Sequence, residues 1–145
     1  MKISKKASAQ WKGTLKEGIG YISSESGALE KQPYGFNTRF EGIPGTNPEE
    51  LIGAAHSGCF TMALAKILGE SNLTADMLET TAHVGLEKKT EGYEITTIHL
   101  SLKAKVPGVN QTQFQELANK AKENCPVSIL FKGNAEISLE AILEN

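Results

Sequence analysis

Two cysteines, Cys59 and Cys125, carry most of the chemistry this chain can offer. A thiolate is a nucleophile, and peroxide converts it to a sulfenic acid that a second thiol can condense into a disulfide. An external dithiol then reopens that disulfide by exchange. The plain alternative is two unrelated buried thiols, since free cysteine is among the most buried residue types. No Cys-x-x-Cys pair is present, so a general disulfide oxidoreductase lacks support. Cys59 lies in an apolar run in which a thiol has a raised pKa and is inert. If it is a nucleophile, a cation must hold its thiolate. Arg39 is the sole arginine among fifteen lysines and arginines. Its planar, permanently charged fork can grip a carboxylate and approach a thiolate together. A surface arginine is the plain alternative here.

Other titratable groups have simpler readings. Glu49 and Glu50 fall in the first turn of the predicted central helix, where a carboxylate is favourable against the helix dipole. His56 shares a helix face with Cys59 three positions later; packing or hydrogen bonding explains it better than a role as base. His83 and His99 fall in predicted strands without partners at metal-ligand spacing, which argues against zinc. Tyr34, Phe36, Phe60, Met62 and Ile129 are candidates to line an apolar pocket, with core packing as the default for each.

These residues need elements to position them. At 145 residues the chain suits one domain, residues 1–145, or one subunit of an intertwined dimer. Net charge of −2 gives no reason to expect nucleic acid or an anionic membrane as partner. The N-terminal segment is basic without an apolar core, unlike a secretory signal. The apolar stretch from Phe60 to Leu68 is interrupted by Thr61 and Lys66 and is too short to span a bilayer. A cytoplasmic location follows as the expectation, and there a permanent structural disulfide is disfavoured.

Short strands punctuated by Gly13, Gly18, Gly20 and Gly27 are predicted for the first forty residues, with a loop and short strand over Pro33–Phe40. Asn47, Pro48 and Glu50 mark a helix start, and the run from Leu51 to Leu68 follows with almost no polar face. Such a helix is buried on most sides, and Gly53, Ala54 and Gly58 admit close approach of another backbone. A long hairpin follows, its alternation slipping by one residue near Thr96–Thr97, the mark of a β-bulge. A helix from Gln111 to Glu123 is broken at Asn124-Cys125-Pro126. That boundary would leave Cys125 partly exposed. A helical turn over Val127–Leu130 and a strand ending near Leu143 complete an α+β order.

Three segments, QPYGFNTRFEG (Gln32–Gly42), GTNPEELIGAAHSGCF (Gly45–Phe60) and NCPVS (Asn124–Ser128), resemble the signatures of the OsmC/Ohr family of thiol-dependent hydroperoxide reductases, in its osmotically inducible OsmC branch. The likeness spans essentially the whole chain. It implies an intertwined, strand-swapped homodimer, with antiparallel sheets around two buried central helices and no metal or organic prosthetic group. It implies that Cys59 is the peroxidatic cysteine and Cys125 the resolving one. Arg39 would polarise the thiolate and Glu49 would orient Arg39. The implied reaction is reduction of organic hydroperoxides, and of hydrogen peroxide more weakly. A dithiol serves as reductant, with lipoylated protein used in the Ohr branch. A non-catalytic hydrophobic-ligand or redox-sensing module on the same scaffold is the alternative.

Ten positions separate Glu49 from Cys59 on one predicted helix, a rise of about 15 Å. Within one straight helix they cannot meet. Each site is therefore expected to combine Cys59 and Cys125 of one chain with Arg39 and Glu49 of the other, unless the helix kinks at Gly53.

Overall fold

A computed structural model describes residues 1–145, which divide into two compact units, Met1–Leu51 and Ile52–Asn145. Strands, a long helix, a hairpin, two shorter helices and a final strand follow in that order, so the α+β class holds.

The first unit is an antiparallel sheet of β1 (Ala7–Lys12), β2 (Ile19–Ser24) and β3 (Gln32–Tyr34), with β2 central. The short strand expected to reach Phe40 is instead the helical turn α1 (Phe36–Phe40). The physical reason is local. The Thr38 hydroxyl accepts from Gly35 N–H at 2.8 Å and donates to Gly35 C=O at 3.0 Å, closing a turn. Phe36 and Phe40, one helical turn apart, then pack with ring centroids 4.9 Å apart. This unit has almost no interior: only Gly20 and Thr46 are buried.

The helix α2 (Pro48–Glu70) begins in the first unit and runs unbroken into the second. Asn47 caps it, its Oδ1 accepting from Glu50 N–H at 2.8 Å. Gly53, His56, Phe60, Leu64, Ile67 and Leu68 form its buried face at helical spacing. Ala54, Gly58, Met62, Ala65 and Gly69 form an exposed stripe of small and apolar residues, Met62 being 76% exposed. The expectation that this stretch is too short for a bilayer needs correction. The helix has 23 residues and a mean hydropathy of 1.4 over its most apolar window, long and apolar enough to cross by length and composition alone. It outgrows the apolar run because the capped turn at Pro48 and the small residues Gly53–Gly58 all belong to it.

In the second unit β4 (Met77–Lys89) and β5 (Gly92–Lys105) form the long hairpin. Its register passes from Gly85 opposite Thr97 to Leu86 opposite Ile95, so Thr96 is the extra residue of the expected bulge. A side chain at Gly85 would collide with the Thr97 hydroxyl, which explains a glycine there. The helices α3 (Gln111–Asn124) and α4 (Pro126–Phe131) then lead to β6 (Glu136–Leu143). β6 pairs with β5 in parallel, which amends the expectation of wholly antiparallel sheets. The cause is the helical crossover through α3 and α4, which returns the chain to the starting end of β5. Phe60, Leu64, Ile98, Leu100, Leu102 and Phe114 lead the core, and Cys125 is buried within it.

Candidate active site

The four residues singled out from the sequence fall into two pairs, one inside each unit. In the first, α1 carries Arg39 and the opening turn of α2 carries Glu49. The Arg39 guanidinium grips the carboxylate through two nitrogens: Nε stands 3.0 and 3.1 Å from the two oxygens, and Nη2 bonds Oε1. Fork-to-carboxylate geometry of this kind fixes orientation as well as charge. The turn between these residues is rigid. Thr46 N–H donates to Pro33 C=O at 2.9 Å, and Thr46 bridges Tyr34. At Gly45, with φ +150°, an added Cβ would stand 2.5 Å from the Pro33 oxygen and 2.7 Å from Thr38 Cγ2. Only glycine fits there, so the loop that aligns Arg39 with Glu49 depends on it.

In the second unit α2 presents Cys59 and the α3–α4 junction presents Cys125. The two thiols are free, and Cys125 lies close enough to raise the Cys59 pKa. Pro126 forces the break that puts Cys125 there: its backbone is extended, with φ −66° and ψ 135°, between two helices. Cys125 was expected to be partly exposed and is instead fully buried, because α4 folds directly onto α3. Cys59 is half-buried and borders an open groove lined by Met62, Lys66, Lys120, Asn124 and Pro126 among others. Burial raises the Cys59 pKa above its ordinary value, the Val127 backbone pulls it down, and Cys125 raises it further. None of these three influences is a cation, although Lys66 and Lys120 line the same groove.

Of the apolar candidates, Met62 lines the groove beside Cys59, Phe60 is core, and Ile129 is exposed. Tyr34 belongs to the first unit, where its ring meets Trp11 edge-on at 5.5 Å, and Phe36 packs on Phe40. His56 is fully buried, with Nε2 2.8 Å from the Ser128 hydroxyl. Ser128 escaped the sequence reading. Its signal was the spacing Cys125-x-x-Ser128, in which the side chain before a helix accepts from the backbone three residues on.

Two free thiols, Cys59 and Cys125, thus share one unit of an α+β scaffold. Residues 40–140 match the family model described as OsmC-like protein, and the chain belongs to that family. It is 52% identical over 145 residues to peroxiredoxin OsmC of Escherichia coli K12, covering 100% of both chains. It is 34% identical over 123 residues to organic hydroperoxide resistance protein OhrB of Bacillus subtilis, covering 83% of this chain and 88% of that one. The crystal structure of that OhrB superposes with a TM-score of 0.71 at 31% identity, covering 94% of this chain and 97% of the other.

Proposed function

We propose that this protein is a cysteine-based peroxidase that reduces organic hydroperoxides to alcohols. The observation that carries the reading is the pair of free thiols in one unit, with Cys125 near enough to raise the Cys59 pKa. Cys59 thiolate attacks the distal peroxide oxygen, the O–O bond breaks, and the alkoxide leaves as the alcohol after taking a proton. Cys59 becomes a sulfenic acid, and Cys125 displaces its hydroxyl as water to form a disulfide. A dithiol, with a lipoylated protein among the candidates, reduces that disulfide by exchange. The open, largely apolar groove beside Cys59 favours alkyl over hydrogen peroxide. The names of the E. coli and B. subtilis relatives, peroxiredoxin and organic hydroperoxide resistance protein, support the same chemistry.

A second chain supplies what the electrostatics of Cys59 call for. Arg39, oriented by Glu49, supplies a fixed guanidinium where the Cys59 groove offers only the lysines Lys66 and Lys120, and α2 runs unbroken between Glu49 and Cys59. Ten residues of continuous helix separate those two by about 15 Å. Each active site therefore joins Cys59 and Cys125 of one chain with Arg39 and Glu49 of the other. The homodimer also accounts for the exposed stripe on α2 and for a three-stranded sheet almost without buried residues, which cannot be stable alone. The 145 residues act as one domain of this dimer, and the paired central helices are core rather than membrane spans. The redox-active thiols fit the reducing cytoplasm.

Turnover of cumene hydroperoxide with a dithiol reductant tests the reading. The wild-type protein consumes peroxide in proportion to enzyme, and Cys59→Ser is inactive. Turnover that survives Cys59→Ser leaves only a hydrophobic-ligand or redox-sensing module.

A further inference from the structure

The buried histidine of α2 has no part in the chemistry so far. His56 is 0% exposed, and its Nδ1 takes no hydrogen bond. Its Nε2 lies 2.8 Å from Ser128 Oγ, a group 4% exposed on α4. Ser128 Oγ in turn lies 3.3 Å from Cys125 Sγ, and Ser128 N–H donates to the same sulfur at 3.3 Å. A continuous line of hydrogen bonds therefore runs from the imidazole through the hydroxyl to the second thiol, whose proximity raises the Cys59 pKa. All of these groups lie in the second unit.

We infer that His56 and Ser128 form a proton relay that readies Cys125 to attack the Cys59 sulfenic acid. This rests on the assignment of Cys125 as the resolving thiol. A hydroxyl has one proton and two acceptor lone pairs, so Ser128 can accept the thiol proton while donating its own to Nε2. The line then reverses: Nε2–H donates to Ser128 Oγ, and Oγ–H donates to the Cys125 thiolate. The thiolate, held also by Ser128 N–H, attacks the Cys59 sulfur. The S–S bond forms and the S–O bond breaks. The hydroxide so released takes up the proton that Cys125 gave, and departs as water. Thiol and sulfenic acid become disulfide and water, with no further oxidant or reductant.

Two features fit this role. Burial lowers the His56 pKa, so the ring rests neutral and passes a proton on rather than keeping it. The ring is also fixed: Phe131 stands at 6.0 Å between centroids and the ring is wholly enclosed. The charged groups Lys122, Glu123 and Lys132 line a small cleft with Ser128. Ser128 touches the reacting sulfur, and His56 is a positioning residue that acts through it.

Rapid quench of the full-length reduced protein with one equivalent of cumene hydroperoxide separates the two steps. Trapping with dimedone counts Cys59 sulfenic acid, and mass spectrometry counts the Cys59–Cys125 disulfide. In Ser128→Ala and in His56→Gln, disulfide closure should slow at least tenfold while Cys59 oxidation stays within about twofold of wild type. Ser128→Thr, which keeps the hydroxyl, should restore closure. Closure as fast as wild type in Ser128→Ala overturns the relay. So does equal slowing of both steps without rescue by Ser128→Thr, which would mark a packing role. A wild-type protein that oxidises without forming the disulfide would instead remove the resolving role of Cys125, and the relay with it.

Discussion

Replacing Arg39 with methionine keeps the aliphatic stem and removes the charge, and its consequence for Cys59 can be worked through. The ordinary value for this thiol is 9.0, and burial with Cys125 beside it moves it upward. To be half ionised at pH 7 it must fall by at least two units, about 2.7 kcal/mol. A guanidinium at roughly 5 Å in an effective dielectric of about 20 contributes about 3.3 kcal/mol, or about 2.4 units. One arginine at that range thus covers the fall from 9.0, before the upward push of burial and Cys125 is counted. Arg39→Met should raise the Cys59 pKa, and a rise of about two units cuts the thiolate fraction of a half-ionised Cys59 at pH 7 about fiftyfold. The rate constant for oxidation by cumene hydroperoxide should fall in the same proportion and recover above pH 9. Ultraviolet titration of the thiolate in a Cys125→Ser background, with stopped-flow rates across pH, reads both quantities. A wild-type value near that of an ordinary alkyl thiol, or one unmoved by Arg39→Met, would refute the electrostatic reasoning.

Three further outcomes follow from particular residues. Mixing inactive Cys59→Ser and Arg39→Met chains under conditions of subunit exchange should restore about a quarter of wild-type turnover, because half of randomly paired dimers gain one complete site. No recovery despite confirmed exchange would place Arg39 and Cys59 of one chain in the same site. Gly45→Ala forces a Cβ to 2.5 Å from the Pro33 oxygen and should cost about 1–3 kcal/mol, read as a lower urea midpoint, with loss of activity as Arg39 and Glu49 lose alignment. Acid should destabilise the fold through His56. Its folded pKa is held below 6.5 by burial, so the unfolded chain binds the proton more readily. That contribution is complete above pH 6.5 and lost as pH falls through the folded value, so the urea midpoint should drop over that window and drop less in His56→Gln.

Much of this was legible in the residues because local chemistry governs it. Asn47, Pro48 and Glu50 set the start of α2, and Asn47 does cap Glu50 N–H. The one-residue slip in alternation marked the bulge at Thr96. Pro126 fixed the break that carries Cys125. The departures have two origins, local for the first and tertiary for the rest. Phe36-Asn37-Thr38-Arg39-Phe40 alternates as a strand would, but the Thr38 hydroxyl and the Phe36–Phe40 contact close it into a helical turn. Cys125 is buried because α4 folds back on α3, a consequence of packing that no local signal carries. The parallel pairing of β6 follows from a crossover whose path the strand itself does not encode. Ser128 shows the same division: its backbone bond to Cys125 follows from a capping pattern, whereas its contact with His56, 72 residues away in sequence, exists only in the fold.

The account requires that peroxide oxygen be taken up by one sulfur and discharged by its neighbour in the same chain. Peptide mapping by mass spectrometry after one equivalent of cumene hydroperoxide reads this directly. The expected product is a single intrachain Cys59–Cys125 disulfide per chain, with Cys125→Ser stalled as Cys59 sulfenic acid. Thiols that stay reduced, or a disulfide linking two chains, would contradict it.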